Sequence, residues 1–150
     1  MIKYFKEDTT FNFKNKRDCN RWIKEVLNDP RIITDKVKLG DINIIFCSDN
    51  FILDINNKYL NHNYFTDIIT FDYSSENIIS GDLIISTDTV RENSVTYNQT
   101  FTDELHRVII HGILHLIGYD DKNKVDKERM RTAEDRALSL RTTIFTVIGE

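Results

Sequence analysis

This chain is poor in the residues that break or staple a fold. Proline occurs once, glycine five times and cysteine twice in 150 residues. So little proline and glycine excludes long flexible or polyproline linkers, and no low-complexity tract or internal repeat interrupts the sequence. The two cysteines, Cys19 and Cys47, stand far apart and match no metal or redox spacing. They exclude a disulfide framework and are expected to be reduced core thiols of a cytoplasmic protein. No apolar run approaches the length of a membrane span, and no leader with a charged start and an apolar middle opens the chain, so no membrane partner is expected. Positive charge is not in excess either: 20 basic against 24 acidic residues give a net charge of −4, which argues against a broad nucleic-acid footprint. Basic runs exist locally, at Lys14, Lys16, Arg17, Arg21 and Lys24 and again from Lys122 through Lys124, Lys127, Arg129 and Arg131 to Arg136. Their ordinary reading is solvated helix faces. The length suits one domain with its own core, and residues 1–150 are read as one domain.

The apolar residues are patterned. Ile2 to Phe5 reads as a short strand. Cys19, Trp22, Ile23, Val26 and Leu27 recur at helical spacing between Lys16 and Asn28, and Asp29-Pro30 ends that helix. Gly40 precedes a β-branched run, Ile42 to Cys47, that reads as a buried strand. Ser48 or Asp49 caps a helix to about Leu60. Ile68 to Asp72 and Asp82 to Ser86 are two more strands, joined by a loop around Ser74 to Gly81 that can close a hairpin. Thr87 or Asp88 caps a helical segment to about Gln99, and Thr102 with Asp103 and Glu104 opens the next helix. A charged amphipathic helix spans roughly Lys124 to Arg141. The expected class is α+β: a small mixed sheet of about four strands packed with about five helices.

The chemistry concentrates in one segment, HGILHLIGYDD, from His111 to Asp121. Residues four apart on a helix lie one above the other, so His111 and His115 can point two imidazoles at one ion. Gly118 can adopt the left-handed conformation that ends a helix and turns the chain back, bringing Asp121 round as a third ligand. Two nitrogens and one carboxylate oxygen leave a coordination position open, which is the donor count of a catalytic metal centre. The plain alternative is two packing histidines on an apolar helix. Against it, Leu105, Val108, Ile109, Ile110, Ile113, Leu114, Leu116 and Ile117 make the helix apolar nearly all round, so it is expected to be buried. A buried polar group without a partner costs roughly 1–3 kcal/mol, and a metal supplies that partner. The site therefore sits on a central buried helix, with zinc the divalent ion best suited to it.

The HGxLHLxGYD segment resembles the signature of the YbeY family of bacterial endoribonucleases. Ile55, Asn56 and Tyr59, then Thr66, Asp67, Ile68, Ile69, Thr70 and Phe71, follow the register of the family's LNxxYR and TDVLSF segments. Gly81 to Ser86 resembles its GDIxIS segment, and Glu104 with Leu105 its acidic pair before the metal helix. The resemblance spans about residues 40 to 140. It implies a cytoplasmic, zinc-dependent, single-strand endoribonuclease acting on ribosomal RNA and ribosomal particles during ribosome biogenesis. Two positions depart from the pattern: Asp121 stands where the family has its third ligand His, and Leu60 where it has Arg. Carboxylate oxygen binds zinc at about 2.0–2.2 Å, close to the ~2.0–2.1 Å of imidazole, so ligation survives the first change. Leucine cannot meet a phosphate as an arginine can; His62, Lys58 or a residue of the Lys122–Arg129 run is the conjectured electrostatic substitute.

No general base is named by the sequence. Metalloproteases with this histidine spacing place Glu directly after the first His, where this chain has Gly112. Asp82, Glu104 and Asp120 are the candidates, with Asp82 favoured as the acid that orients a ligand histidine. The nucleophile is open between water and the RNA 2′-hydroxyl. His106 lies five residues before His111, about 140° round the helix, and is expected at the surface. His62 is a weak candidate for substrate contact, Thr66 and Asp67 are read as a turn or cap, and Tyr119 with Asp120 as shaping the turn between ligands. The competing functions are a zinc metalloprotease-like hydrolase, a non-haem iron oxygenase with a two-His, one-carboxylate triad, and a ribosome-associated binding factor with a structural metal and no nuclease activity.

Overall fold

The computed structural model describes residues 1–62 and 66–145. Strands β1 (Ile2–Glu7), β2 (Lys38–Cys47), β3 (Ile68–Asp72) and β4 (Ile78–Ser86) form one sheet in the order β1-β2-β4-β3. β1 and β4 run parallel to β2, and β3 is antiparallel to β4, so the sheet is mixed. Helices α1 (Lys16–Leu27), α2 (Asp49–Leu60), α3 (Thr87–Thr96), α4 (Phe101–Leu116) and α5 (Lys124–Ser139) pack around it. Four strands and five helices among the described residues are the expected α+β arrangement.

Side chains alternate across a strand, and that alternation sorts the sheet into two faces. Ile42, Ile44 and Phe46 of β2 join Leu83 and Ile85 of β4 in the main core, together with Trp22, Ile23 and Val26 of α1 and the apolar side of α4. The opposite face is smaller: Ile69 and Ile84 pack there against Ile52 of α2. Eleven of the 16 residues of α4 are buried, which makes it the central helix. It approaches the sheet at Gly112, where an added Cβ would lie 2.8 Å from Ile68 Cδ1 and 2.8 Å from Leu83 Cδ2. Helix α5 is held against the end of α1. Trp22 Nε1 donates to the Ala137 carbonyl at 2.8 Å, and Arg136 pairs with the buried Asp29 at 2.9 Å.

Several boundaries differ from expectation. Helix α3 is capped by Ser86, whose Oγ accepts from the Thr89 amide at 3.2 Å, rather than by Thr87 or Asp88. Helix α4 is capped by Thr100, whose Oγ1 accepts from the Asp103 amide at 3.0 Å, rather than opened by Thr102. In both places several adjacent Ser, Thr and Asp residues can cap, and the turn of chain before the helix selects among them. Helix α3 ends at Thr96, short of Gln99, because Asn98 takes a left-handed φ of 55°. β2 and β4 start earlier than expected, at Lys38 and Ile78, because their pairing continues past a register shift between Leu39 and Ile42. Beyond Ser139 the last helix tightens into a 3₁₀ turn, Leu140–Thr143. Cys19 and Cys47 are buried free thiols, as expected. Among the described residues, no helix is long and apolar enough to cross a membrane.

Candidate metal centre

Helix α4 sets two imidazoles on one face, and the turn after it supplies the third donor. Gly118 has φ 105°, its amide donates to the His115 carbonyl at 3.1 Å, and the Tyr119 amide donates to the Leu114 carbonyl at 3.0 Å. The Tyr119 hydroxyl hydrogen-bonds the Ile32 carbonyl, tying the turn to the chain that follows α1. The reversal returns Asp121 to the histidines. His111 Nε2 and His115 Nε2 lie 3.0 Å apart, and Asp121 Oδ2 is 3.4 Å from the first and 3.5 Å from the second. A tetrahedral ion with bonds of ~2.1 Å holds its ligands ~3.4 Å apart, so the two edges to Asp121 match that spacing and the 3.0 Å edge between the imidazoles is somewhat shorter. Among the described residues, these three form the one group able to share an ion in this way.

The residue that orients the site was missed in the sequence. Glu134, buried on α5, places Oε2 2.7 Å from His111 Nδ1. A carboxylate there accepts the Nδ1 proton and leaves the lone pair of Nε2 facing the donor triangle, the usual second partner of a metal-ligating histidine. Glu134 is itself clamped by Arg107, whose Nη1 donates to Oε1 at 2.8 Å while Nη2 donates to Asp135 at 2.8 Å. Burial alone would lower the His111 pKa. The hydrogen bond and charge of Glu134, with Asp121 and Asp67, overcome burial and hold it above the ordinary range. Burial raises the Asp67 carboxyl, and the positive field of His111 partly offsets this. Glu104, also buried, is raised by desolvation and by Asp67 beside it. No local spacing announces Glu134, which is 23 residues from His111 and reaches it only through the packing of α5.

The other expected residues separate clearly. A cleft of about 550 Å³ opens beside the donors, lined by Leu60, His62, Thr66, Thr70, His115 and Asp120 among others. A second cleft, of about 490 Å³, continues across Gly118, Tyr119 and Asp120 and reaches Arg129. Leu60, where the resemblance leads one to expect an arginine, is therefore at the site, and so is His62. The remainder of the 61–65 loop, Asn63 to Phe65, lies outside the described residues. Thr66 belongs to the cleft wall, and Asp67 acts electrostatically on His111 in addition to any role at the strand entry.

Two expectations are corrected. Asp82 does not orient a histidine: Gly81 and Leu83 face α4, so Asp82 points to the opposite side of the sheet, where Asn43 Nδ2 donates to it at 3.0 Å. His106 is not at the surface but 4 % exposed, between Trp22 and Phe145. The helix angle rightly put it off the metal face, but that direction leads into the core. Of the three acids considered as a base, only Asp120 lines the cleft. Lys58 lies over the Tyr59 ring, 5.5 Å from its centroid.

The chain matches the family model described as Endoribonuclease YbeY over residues 3–141. It belongs to the YbeY family of endoribonucleases. The match begins well before residue 40, so the resemblance read from motifs understated its extent. A relative from Parabacteroides distasonis named Endoribonuclease YbeY is 50% identical over 139 residues, covering 93% of this chain and 94% of that protein. One of the same name from Cytophaga hutchinsonii is 43% identical over 141 residues, covering 93% and 95%. The solution structure of TM1509 from Thermotoga maritima superposes with a TM-score of 0.62 at 28% identity, covering 95% of this chain and 93% of that one. The chain is thus an endoribonuclease of α+β fold.

Proposed function

We propose that residues 1–150 act as one cytoplasmic, metal-dependent domain that cuts single-stranded RNA in ribosomal RNA maturation, with zinc held by His111, His115 and Asp121. The observation that carries the metal dependence is the triangle of donors with edges of 3.0, 3.4 and 3.5 Å, backed by Glu134 on His111 Nδ1. The ribosomal substrate is taken from the family resemblance. A divalent ion there supplies Lewis-acid chemistry, neutralising charge that builds up on a cleaved phosphodiester or acidifying a water.

The chain's own residues do the rest. Glu134 keeps the His111 ring in one tautomer and orientation, and Arg107 holds the Glu134 carboxylate in place. In this reading the cleft beside His115 admits the scissile nucleotide, and Asp120 is the candidate acid on its wall for taking a proton from water or from a 2′-hydroxyl. Gly112 weighs against the protease reading. The position that would carry a protease's glutamate is packed against Ile68 and Leu83, with no space for a side chain.

The test is cleavage of a labelled single-stranded ribosomal RNA fragment with zinc, with chelator, and by a folded His115→Ala variant. Cleavage by the zinc-loaded chain that disappears in the other two arms is expected. No cleavage by zinc-loaded wild type above the variant's level would reject the reading in favour of a ribosome-associated binding factor whose metal is structural.

A further inference from the structure

The cleft accounts for one side of the edge strand β3; the other side carries an exposed aromatic surface that the reaction does not use. β3 ends the sheet order, and among the described residues no strand pairs with its outer edge. Its alternation sends Ile68, Thr70 and Asp72 toward the cleft that holds His115. Ile69 and Phe71 go to the opposite face, where they pack with α2, and Tyr73 follows them in the same alternation. Tyr73 is 61% exposed, and its backbone amide donates to the Ser80 carbonyl of β4 at 2.9 Å. Tyr59, near the end of α2, is 60% exposed and meets the Phe71 ring edge-on, with centroids 6.0 Å apart at 81°. Leu60, its immediate neighbour, lines the cleft.

Resting on the endoribonuclease reading, we propose that Tyr59 and Tyr73 form a stacking platform for unpaired bases of the RNA strand that leaves the cleft over the edge of β3. Fixed aromatic rings are what a single-stranded nucleic acid uses where sequence is not read, since every base has a π-face. The Tyr59 ring is backed by Phe71 and the Tyr73 backbone is pinned to Ser80 of β4, which limits the conformational freedom lost on binding. The charge around them selects bases over phosphates. Asp82 lies on the same face of the sheet, Asp54 lines a shallow hollow with Tyr59, and Lys58, 5.5 Å from the Tyr59 centroid, is the cation against that aromatic surface. The platform also supplies contact beside Leu60, whose side chain cannot pair with a phosphate. A protein partner covering the same patch is the competing occupant.

The test follows 2-aminopurine fluorescence in a 2′-O-methyl single-stranded RNA bound to the full chain, alongside cleavage of the unmodified strand by the same preparations. Wild type is expected to quench the probe on binding. Tyr59→Ala and Tyr73→Ala should each weaken binding roughly 5- to 150-fold, the span that corresponds to ~1–3 kcal/mol per stacked base. Tyr59→Phe should restore stacking, and Val95→Ser, a change at a still more exposed position on α3, should leave binding unaltered. Both tyrosines are exposed, so the alanine variants are expected to fold. Wild type that cleaves RNA while neither alanine variant changes binding or quenching would overturn the platform and leave the endoribonuclease reading intact, with the patch left to a protein partner. Wild type that neither cleaves nor binds the strand would remove both.

Discussion

At the residue scale, His111 and His106 are set apart by their hydrogen-bond partners. Glu134 fixes His111, and outer carboxylates of this kind typically govern metal affinity by 10–100-fold. Glu134→Gln is accordingly expected to raise the zinc dissociation constant by about that factor in a competition titration; an unchanged constant would show that the contact is incidental. His106 illustrates the opposite environment. Burial, reinforced by Arg141, lowers its pKa to about 4. Arg141 Nη1 lies 2.9 Å from His106 Nδ1, and a guanidinium has only donors, so Nδ1 is the acceptor and the ring is neutral. The unfolded chain binds a proton at this residue near pH 6.5 and the folded chain does not until about pH 4. Stability from this group is therefore complete above about 6.5 and falls through that window by up to about 3 kcal/mol. His106→Phe should flatten the decline of the urea midpoint between pH 7 and pH 4.5 relative to wild type. Parallel curves would place the charge elsewhere.

At the element scale, one contact sets the site's position. Helix α4 reaches the sheet through Gly112, and Gly112→Ala would force Ile68 and Leu83 aside, each 2.8 Å from the new Cβ. Overpacking of this kind costs about 1–3 kcal/mol. The variant should lose that much stability in urea denaturation, and it should also bind zinc more weakly, because His111 moves with the helix. Equal stability would mean that the interface yields without strain. This is also the scale at which the sequence was most readable. The histidine spacing, Gly118 and Asp121 are local features, and the structure brings those residues together because helix pitch and one left-handed residue suffice to do so. Strand β3 was placed to the residue for the same reason, since period-two alternation bounded by turns is local information. Glu134 and Asp82 were not legible. One depends on how α5 docks, and the other on which face of β4 the register turns toward α4. His106 shows the limit within a single helix: an angle says which residues leave the metal face, but not whether core or solvent awaits them.

At the scale of the whole molecule, the net charge of −4 and the uncharged Leu60 in the cleft bear on how RNA is held. The clefts beside the donors carry Asp72, Asp120 and Asp126, with Arg129 at the far end. Few phosphates can be neutralised by such a surface. Each one adds about −0.7 to the slope of log K against log salt for a single strand, so a slope shallower than about −1.5 is expected. A slope several times steeper would show that the basic runs at either end of the chain wrap the RNA after all. The most direct test of the account is metal stoichiometry, determined by elemental analysis together with RNA cleavage for wild type, Asp121→Ala and Asp121→His. One zinc per chain in wild type and in Asp121→His, with metal and cleavage lost together in Asp121→Ala, is the predicted result. Full cleavage by an Asp121→Ala protein that holds no metal would contradict it.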